Sequence, residues 1–228
     1  MQIEPLGDSA LLVRVVDDFD ADQSLDAVLR VTRQLESAAI PGIVELVPAY
    51  TTIGIFLEPA QSGSFAALKT KIERALKQLE PARPRTGDEE PPIEVPVCYE
   101  PPFALDLDEV AAHTGLSPKE VVRRHAAALY RVNCVGFTPG FPYLSGLPAE
   151  LTTPRRASPR KEIPAGAVAI GGTQTGIYPR KSPGGWNIIG RTPLQLFDVG
   201  RDPAALFRAG DRVRFRKVSA AEFDRIVA

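Results

Sequence analysis

Apolar residues in the first 80 positions recur at two periods. Residues 2–16 give a short strand, a Gly7–Asp8 turn and an apolar run from Ala10 to Val16, the pattern of a hairpin. Leu25, Val28, Leu29 and Leu35 then fall on one helical face, which leaves Arg30, Arg33 and Gln34 for solvent, and Pro41–Gly42 stops the helix. Ile43–Val47 and Thr52–Leu57 are rich in β-branched residues and predict two paired strands, split by Pro48, Ala49 and Tyr50. Ser64 is placed to cap a second helix whose Phe65, Leu68, Ile72, Leu76 and Leu79 make one stripe. This order predicts an α+β N-terminal domain over residues 1–84, of ferredoxin-like β-α-β-β-α type, with two helices on one face of an antiparallel sheet.

From Pro81 to Pro92 apolar residues nearly vanish and prolines crowd together, which predicts a linker, and residues 85–228 form a second domain. It opens with a strand at Ile93–Tyr99. Asp106 or Asp108 starts a short helix that Gly115 closes, and Ser117-Pro118-Lys119-Glu120 starts another as a capping box with proline at the first helical position. His125 shares the apolar face of Val121 and Leu129, where a histidine reads first as a packed, hydrogen-bonded side chain. After Pro148, short apolar runs (Ala167–Ile170, Asn187–Ile189, Leu194–Phe197, Arg212–Phe215) separated by Gly/Pro turns predict a mainly β body. Ser219–Val227 closes the chain as a helix that packs through Phe223 and Ile226.

Charge and composition narrow the function classes. The 228 residues carry 27 Lys and Arg against 28 Asp and Glu, a net charge of −1, so no electrostatic footprint for nucleic acid or an anionic membrane exists. The N-terminus has no basic flank before an apolar core, and no apolar run approaches the ~20 residues that span a bilayer. Cys98 and Cys134 are the two cysteines, far apart and outside any CxxC or Cys/His cluster; they suit free thiols in a reducing cytoplasm and argue against a zinc site.

Candidate chemistry concentrates between Cys134 and Asp198, where glycine, proline and aromatic residues alternate and demand individually shaped turns. Arg155, Arg156, Arg160, Lys161, Arg180, Lys181 and Arg191 place cations beside those turns, a combination suited to carboxylate or phosphate. Gln174, Thr175 and Tyr178 add neutral hydrogen-bonding groups, and Trp186 can wall a pocket or fill the core. Gly171–Gly176 has the GxxxxG spacing of a phosphate loop but continues with Ile177–Tyr178 rather than Lys–Ser/Thr, so it is no Walker motif. With neither GxSxG nor HExxH, and with His113 and His125 the two histidines, the chain reads as one component of an assembly that completes a site with a partner.

GFTPGFPYLSGLP from Gly136 to Pro148, the TPR and SPR triplets ending at Arg155 and Arg160, IPAG from Ile163, GTQTGIYP from Gly172 to Pro179 and SPGGWNIIGRTP from Ser182 to Pro193 closely resemble the signature of the KipI family. The resemblance implies a cyclophilin-like β-barrel for the second domain. It further implies an activity of the ATP-dependent 5-oxoprolinase kind, in which a B subunit acts with the A and C subunits on 5-oxoproline and ATP is bound in the assembled complex. Within the family pattern His125 rises to a candidate site residue and, with Arg191, to a catalytic one; Arg155, Arg160, Gln174, Thr175, Tyr178 and Trp186 become candidates for substrate binding. Two other activities occur under the same resemblance: inhibition of a sensor histidine kinase, and service as the small half of a biotin-dependent urea carboxyltransferase in an allophanate hydrolase system.

Overall fold

The computed structural model describes residues 1–20, 23–79 and 91–227, and the chain divides into two compact units, Met1–Glu89 and Glu90–Ala228. The expected linker, Pro81–Pro92, lies outside the described residues except for Pro91 and Pro92.

In the first unit β1 (Gln2–Pro5) and β2 (Ala10–Arg14) form the hairpin, followed by α1 (Gln23–Ala38), β3 (Ile43–Ala49), β4 (Thr52–Leu57), a one-turn α2 (Pro59–Ser62) and α3 (Phe65–Lys77). The sheet is antiparallel throughout, in the order β1-β2-β4-β3. Leu11, Val13, Ile53 and Ile55 point from it into one core with Val28, Val31 and Leu35 of α1 and Leu68 and Ile72 of α3. The alternation along each strand and the helical stripes thus bury each other, as period 2 and period 3.6 require. Ser64 caps α3, its hydroxyl accepting the Ala67 amide at 3.3 Å. The sequence ends β3 at Val47, but the strand runs on to Ala49 with Pro48 opposite Ile53. Its missing N–H costs nothing there, because β3 is an edge strand.

The second unit contains β5 (Ile93–Cys98), α4 (Leu107–Thr114), α5 (Pro118–Ala127), β6 (Leu129–Val135), β7 (Pro142–Ser145), β8 (Arg160–Ile163), β9 (Ala167–Gly171), β10 (Gln174–Ile177), β11 (Ser182–Gly184), β12 (Asn187–Arg191), β13 (Arg212–Val218) and α6 (Ala220–Val227). Seven strands close a barrel in the order β10-β7-β6-β13-β5-β12-β9, with β13 and β5 parallel and the remaining pairs antiparallel. Leu194–Phe197, expected as a strand, makes only one isolated bridge, Phe197 to Ala205; it is an irregular segment that buries Leu196 in the barrel core.

Strand β9 shows why the barrel wall reads as an unbroken apolar run. Val168 and Ile170 face the main core, together with Val97, Tyr130, Leu144, Ile189 and Phe215 and with Val110, Val121 and Val122 of α4 and α5. Ala167 and Ala169 face outward into a second cluster, with Phe141, Tyr178, Trp186 and Ile188, where Ile163 of the separate β8–β11 ribbon joins them. Both faces of the wall are covered, so no polar alternation survives in the sequence. That second cluster holds the candidate site.

Candidate functional site

The histidine on α5 is the natural starting point. His125 has 0 % exposure and stacks on Phe215, with ring centroids 4.6 Å apart. Its Nδ1 lies 2.9 Å from the Tyr99 hydroxyl and its Nε2 lies 3.0 Å from Thr175 Oγ1. Thr175 itself donates to the Ala169 carbonyl at 2.9 Å, so its oxygen accepts from His125, Nε2 carries the proton, and Nδ1 accepts from Tyr99. Every member of this chain of hydrogen bonds is satisfied. Burial lowers the His125 pKa to about 3 and raises that of Tyr99, which holds the imidazole neutral. His125, expected as a catalytic residue, and Thr175, expected to bind substrate, are both enclosed in the barrel core and hydrogen-bonded to each other, to Tyr99 and to the Ala169 carbonyl.

Arg160 is also committed. Asp106, with 0 % exposure, receives its guanidinium fork at 2.8 and 2.6 Å, an Arg156 nitrogen at 2.8 Å, and the Ile188 amide at 2.7 Å. The Asp106 amide in turn donates to the Ile188 carbonyl at 2.7 Å, fastening the start of α4 to β12. Burial works to raise this carboxyl, but the hydrogen bonds from Arg160 and from the Ile188 amide outweigh it and hold it below the usual carboxylate value. Asp106 does open α4, though not as a side-chain cap, because its oxygens serve the arginines and β12 instead. Glu120 shows the same diversion: Ser117 accepts its amide as a cap, while its carboxylate binds Arg123 and Arg124 rather than closing the capping box.

Arg191 and Gln174 do not converge. Arg191 pairs with Ala167 at one end of β9 and Gln174 with Gly171 at the other, four residues or about 13 Å along the strand. Arg191 donates from Nε to the Ala165 carbonyl at 2.8 Å and lies 5.9 Å from the rings of Phe103 and Phe223.

Three of the expected residues do come together. The exposed Arg155 guanidinium lies over the Trp186 ring, 5.7 Å from its centroid, and Trp186 meets Phe141 edge-on at 5.6 Å. Tyr178 meets Phe141 at 5.1 Å. Burial raises the phenols of Tyr178 and Tyr143, and the Arg155 charge pulls against both shifts. Gly171 is required beneath the indole, since a Cβ there would collide with the ring. Arg155, Tyr178 and Trp186 therefore form one aromatic wall with a solvent-facing cation, and Gln174 borders it across the β9–β10 pair from Gly171. Tyr143 and Phe137, which complete the cluster, lie in the GFTPGFPYLSG stretch, but an aromatic residue there looks the same in sequence whether it packs or binds.

Among the described residues no group of His, Cys, Asp and Glu could hold a metal, no helix is long and apolar enough to cross a membrane, and Cys98 and Cys134 are buried and form no disulfide.

The chain has relatives along most of its length. The profile of the family described as carboxyltransferase domain, subdomain C and D, matches residues 1–207. The 5-oxoprolinase B subunit of Bacillus subtilis (strain 168) is 38% identical over 97% of the chain and 95% of its own length. The 5-oxoprolinase B subunit of Escherichia coli O157:H7 is 47% identical over 77% of the chain and 78% of its own length. The crystal structure of TTHA0988 superposes with a TM-score of 0.78 at 36% identity over 92% of the chain, which spans 40% of the length of that crystallised protein. The Kluyveromyces lactis urea carboxylase shares the fold, with a TM-score of 0.72 at 21% identity over 99% of the chain and 22% of the carboxylase.

Proposed function

The chain belongs to the carboxyltransferase domain family, subdomains C and D, and from that premise we propose that it is the B subunit of an ATP-dependent 5-oxoprolinase, which acts with the A and C subunits to open 5-oxo-L-proline to L-glutamate. The names of the two bacterial relatives support this reading along most of the chain. The observation that carries it is Arg155 over Trp186. An exposed cation against an aromatic wall suits a small ligand that has both a carboxylate and a planar amide, and 5-oxoproline has both. In this reading Arg155 takes the carboxylate, Trp186 and Tyr178 wall the lactam, and Gln174 borders the site.

Lactam opening is uphill in water, and phosphorylation of the amide oxygen makes the carbonyl a good electrophile. This chain's part is to bind and orient. The GGTQTG stretch does not fit a nucleotide phosphate: it is the β9–β10 pair, with Gly171 under Trp186 and a Cβ at Gly176 only 2.9 Å from Phe141. In this reading ATP is bound in the assembled complex rather than on this stretch. We assign His125, Thr175 and Arg160 to the scaffold that holds the wall, and Arg191 to the packing of Phe103 and Phe223. We also read the first unit as ferredoxin-like, through β2-α1-β3-β4-α3 with strands in the order β2-β4-β3, and the barrel as cyclophilin-like.

The test is reconstitution. The chain alone is expected to be inert and to gain ATP-dependent 5-oxoprolinase activity with its A and C partners. Robust turnover alone, or none in the complete mixture, rejects the reading. Urea carboxyltransferase is the second reading, supported by the likeness of fold to urea carboxylase; biotin-dependent, urea-dependent turnover by the same mixture would favour it.

A further inference from the structure

Phe137 is the strained residue of the second unit. It adopts φ +70°, a left-handed conformation that side chains with a Cβ rarely take, yet 62 % of it is exposed, so its burial gives little in return. The loop around it is not loose. The Gly136 amide donates to the Phe141 carbonyl and the Phe141 amide to the Thr138 carbonyl, both at 3.0 Å. Gly140, at φ +83°, packs where a Cβ would come within 2.7 Å of Phe197. Within this loop the buried Thr138 hydroxyl has no hydrogen-bond partner among the described residues. Two unfavourable features in one anchored loop need a use that offsets them.

The Phe137 ring points to that use. It meets Phe141 edge-on at 5.6 Å and Tyr178 at 6.4 Å with the planes perpendicular, so it extends the wall that carries Trp186 and Arg155. Tyr178 links the two ends, touching Phe137 on one side and feeling the Arg155 charge on the other.

We propose that Phe137 is a ligand-binding residue of the Arg155–Trp186 site, its left-handed backbone holding an exposed ring ready to pack on the planar amide of a small carboxylate ligand. The inference rests on the functional reading above for the identity of that ligand. The ring supplies contact and excludes water from one side of the amide, and it takes no part in proton transfer.

The strain gives a sharp test. Phe137→Gly removes the ring and relieves the backbone at once, whereas Phe137→Tyr keeps the ring. Both variants are assembled with the A and C subunits and compared with the unaltered complex in melting temperature, in kcat and KM for 5-oxo-L-proline, and in the emission of Trp186, the chain's one tryptophan, titrated with 5-oxo-L-proline. The Gly variant is expected to melt at or above the unaltered temperature while KM and the apparent Kd rise about tenfold or more, and the Tyr variant stays within about twofold. Earlier melting of the Gly variant assigns the ring to structure and overturns the proposal, as does an unchanged KM and Kd, or an unaltered protein whose Trp186 does not respond. Turnover with a Gly variant indistinguishable from the unaltered complex sinks this inference alone. Binding that depends on Phe137 without any turnover sinks the functional reading alone.

Discussion

Two constellations in the barrel unit use arginine to opposite ends. Around Asp106, two arginines, a main-chain amide and a carboxylate close on one another. Around Trp186, Arg155 has an aromatic ring below it and solvent above. The first satisfies its buried carboxylate internally and therefore fastens α4, β12 and the β8–β11 ribbon; the second leaves its cation facing water, where it can recruit an anion. The difference lies in the environment of each arginine, which decides whether a guanidinium is mortar or bait.

The largest effect should come from opening the closed constellation. Asp106→Ala leaves the Arg160 guanidinium and the Ile188 amide without their acceptor, while Arg156 keeps Glu109, and is expected to cost about 3–5 kcal/mol in urea unfolding followed by Trp186 emission, which reports on the barrel unit. A loss under ~1 kcal/mol would place Asp106 outside the structural framework.

The hydrogen bonds of His125 are closed in the same way, and acid should open them. The folded pKa of about 3 is depressed below the ordinary 6.5. Its stabilisation is therefore complete above pH 6.5 and lost as the pH falls from there towards 3. Between pH 6.5 and 4 the loss amounts to roughly 3 kcal/mol, at ~1.36 kcal/mol per pH unit. Asp106, lowered from 3.8, contributes outside this window, since its stabilisation is lost only as the pH falls below 3.8. Unfolding midpoints of the unaltered chain and of His125→Gln, compared across pH, should converge with acid; parallel profiles would show that His125 does not govern the acid limb.

Arg155→Ala addresses the open constellation. It should leave unfolding within about 0.5 kcal/mol of the unaltered chain while the assembled enzyme loses tenfold or more in kcat/KM, equivalent to at least ~1.4 kcal/mol. Normal turnover would remove Arg155 from the site. Arg191→Ala should do the reverse on a smaller scale, costing about 1 kcal/mol of stability through its carbonyl hydrogen bond and ring contacts, with kcat/KM changed less than about threefold. A tenfold loss of activity at full stability would restore Arg191 to the site.

Much of the local structure is legible in the sequence because its cause is local. The stripes of α1 and α3, the Ser64 and Ser117 caps, the strand at β5 and the apolar runs of β9 and β12 each follow from spacing within one segment. The motif-bearing stretch from Cys134 to Asp198 is likewise marked by its own composition, and Arg155, Tyr178 and Trp186 are named within it. Tertiary structure alone decided what those residues touch. Asp106 and Arg160 are 54 positions apart and His125 and Thr175 are 50 apart. Their commitment to one another depends on barrel closure, which brings distant strands and helices together and removes water from between them. The reach of β9 separates Arg191 from Gln174 although both sit in neighbouring motifs. A sequence states which charges and rings are present; the closed barrel settles which of them are bonded to one another and which stay exposed.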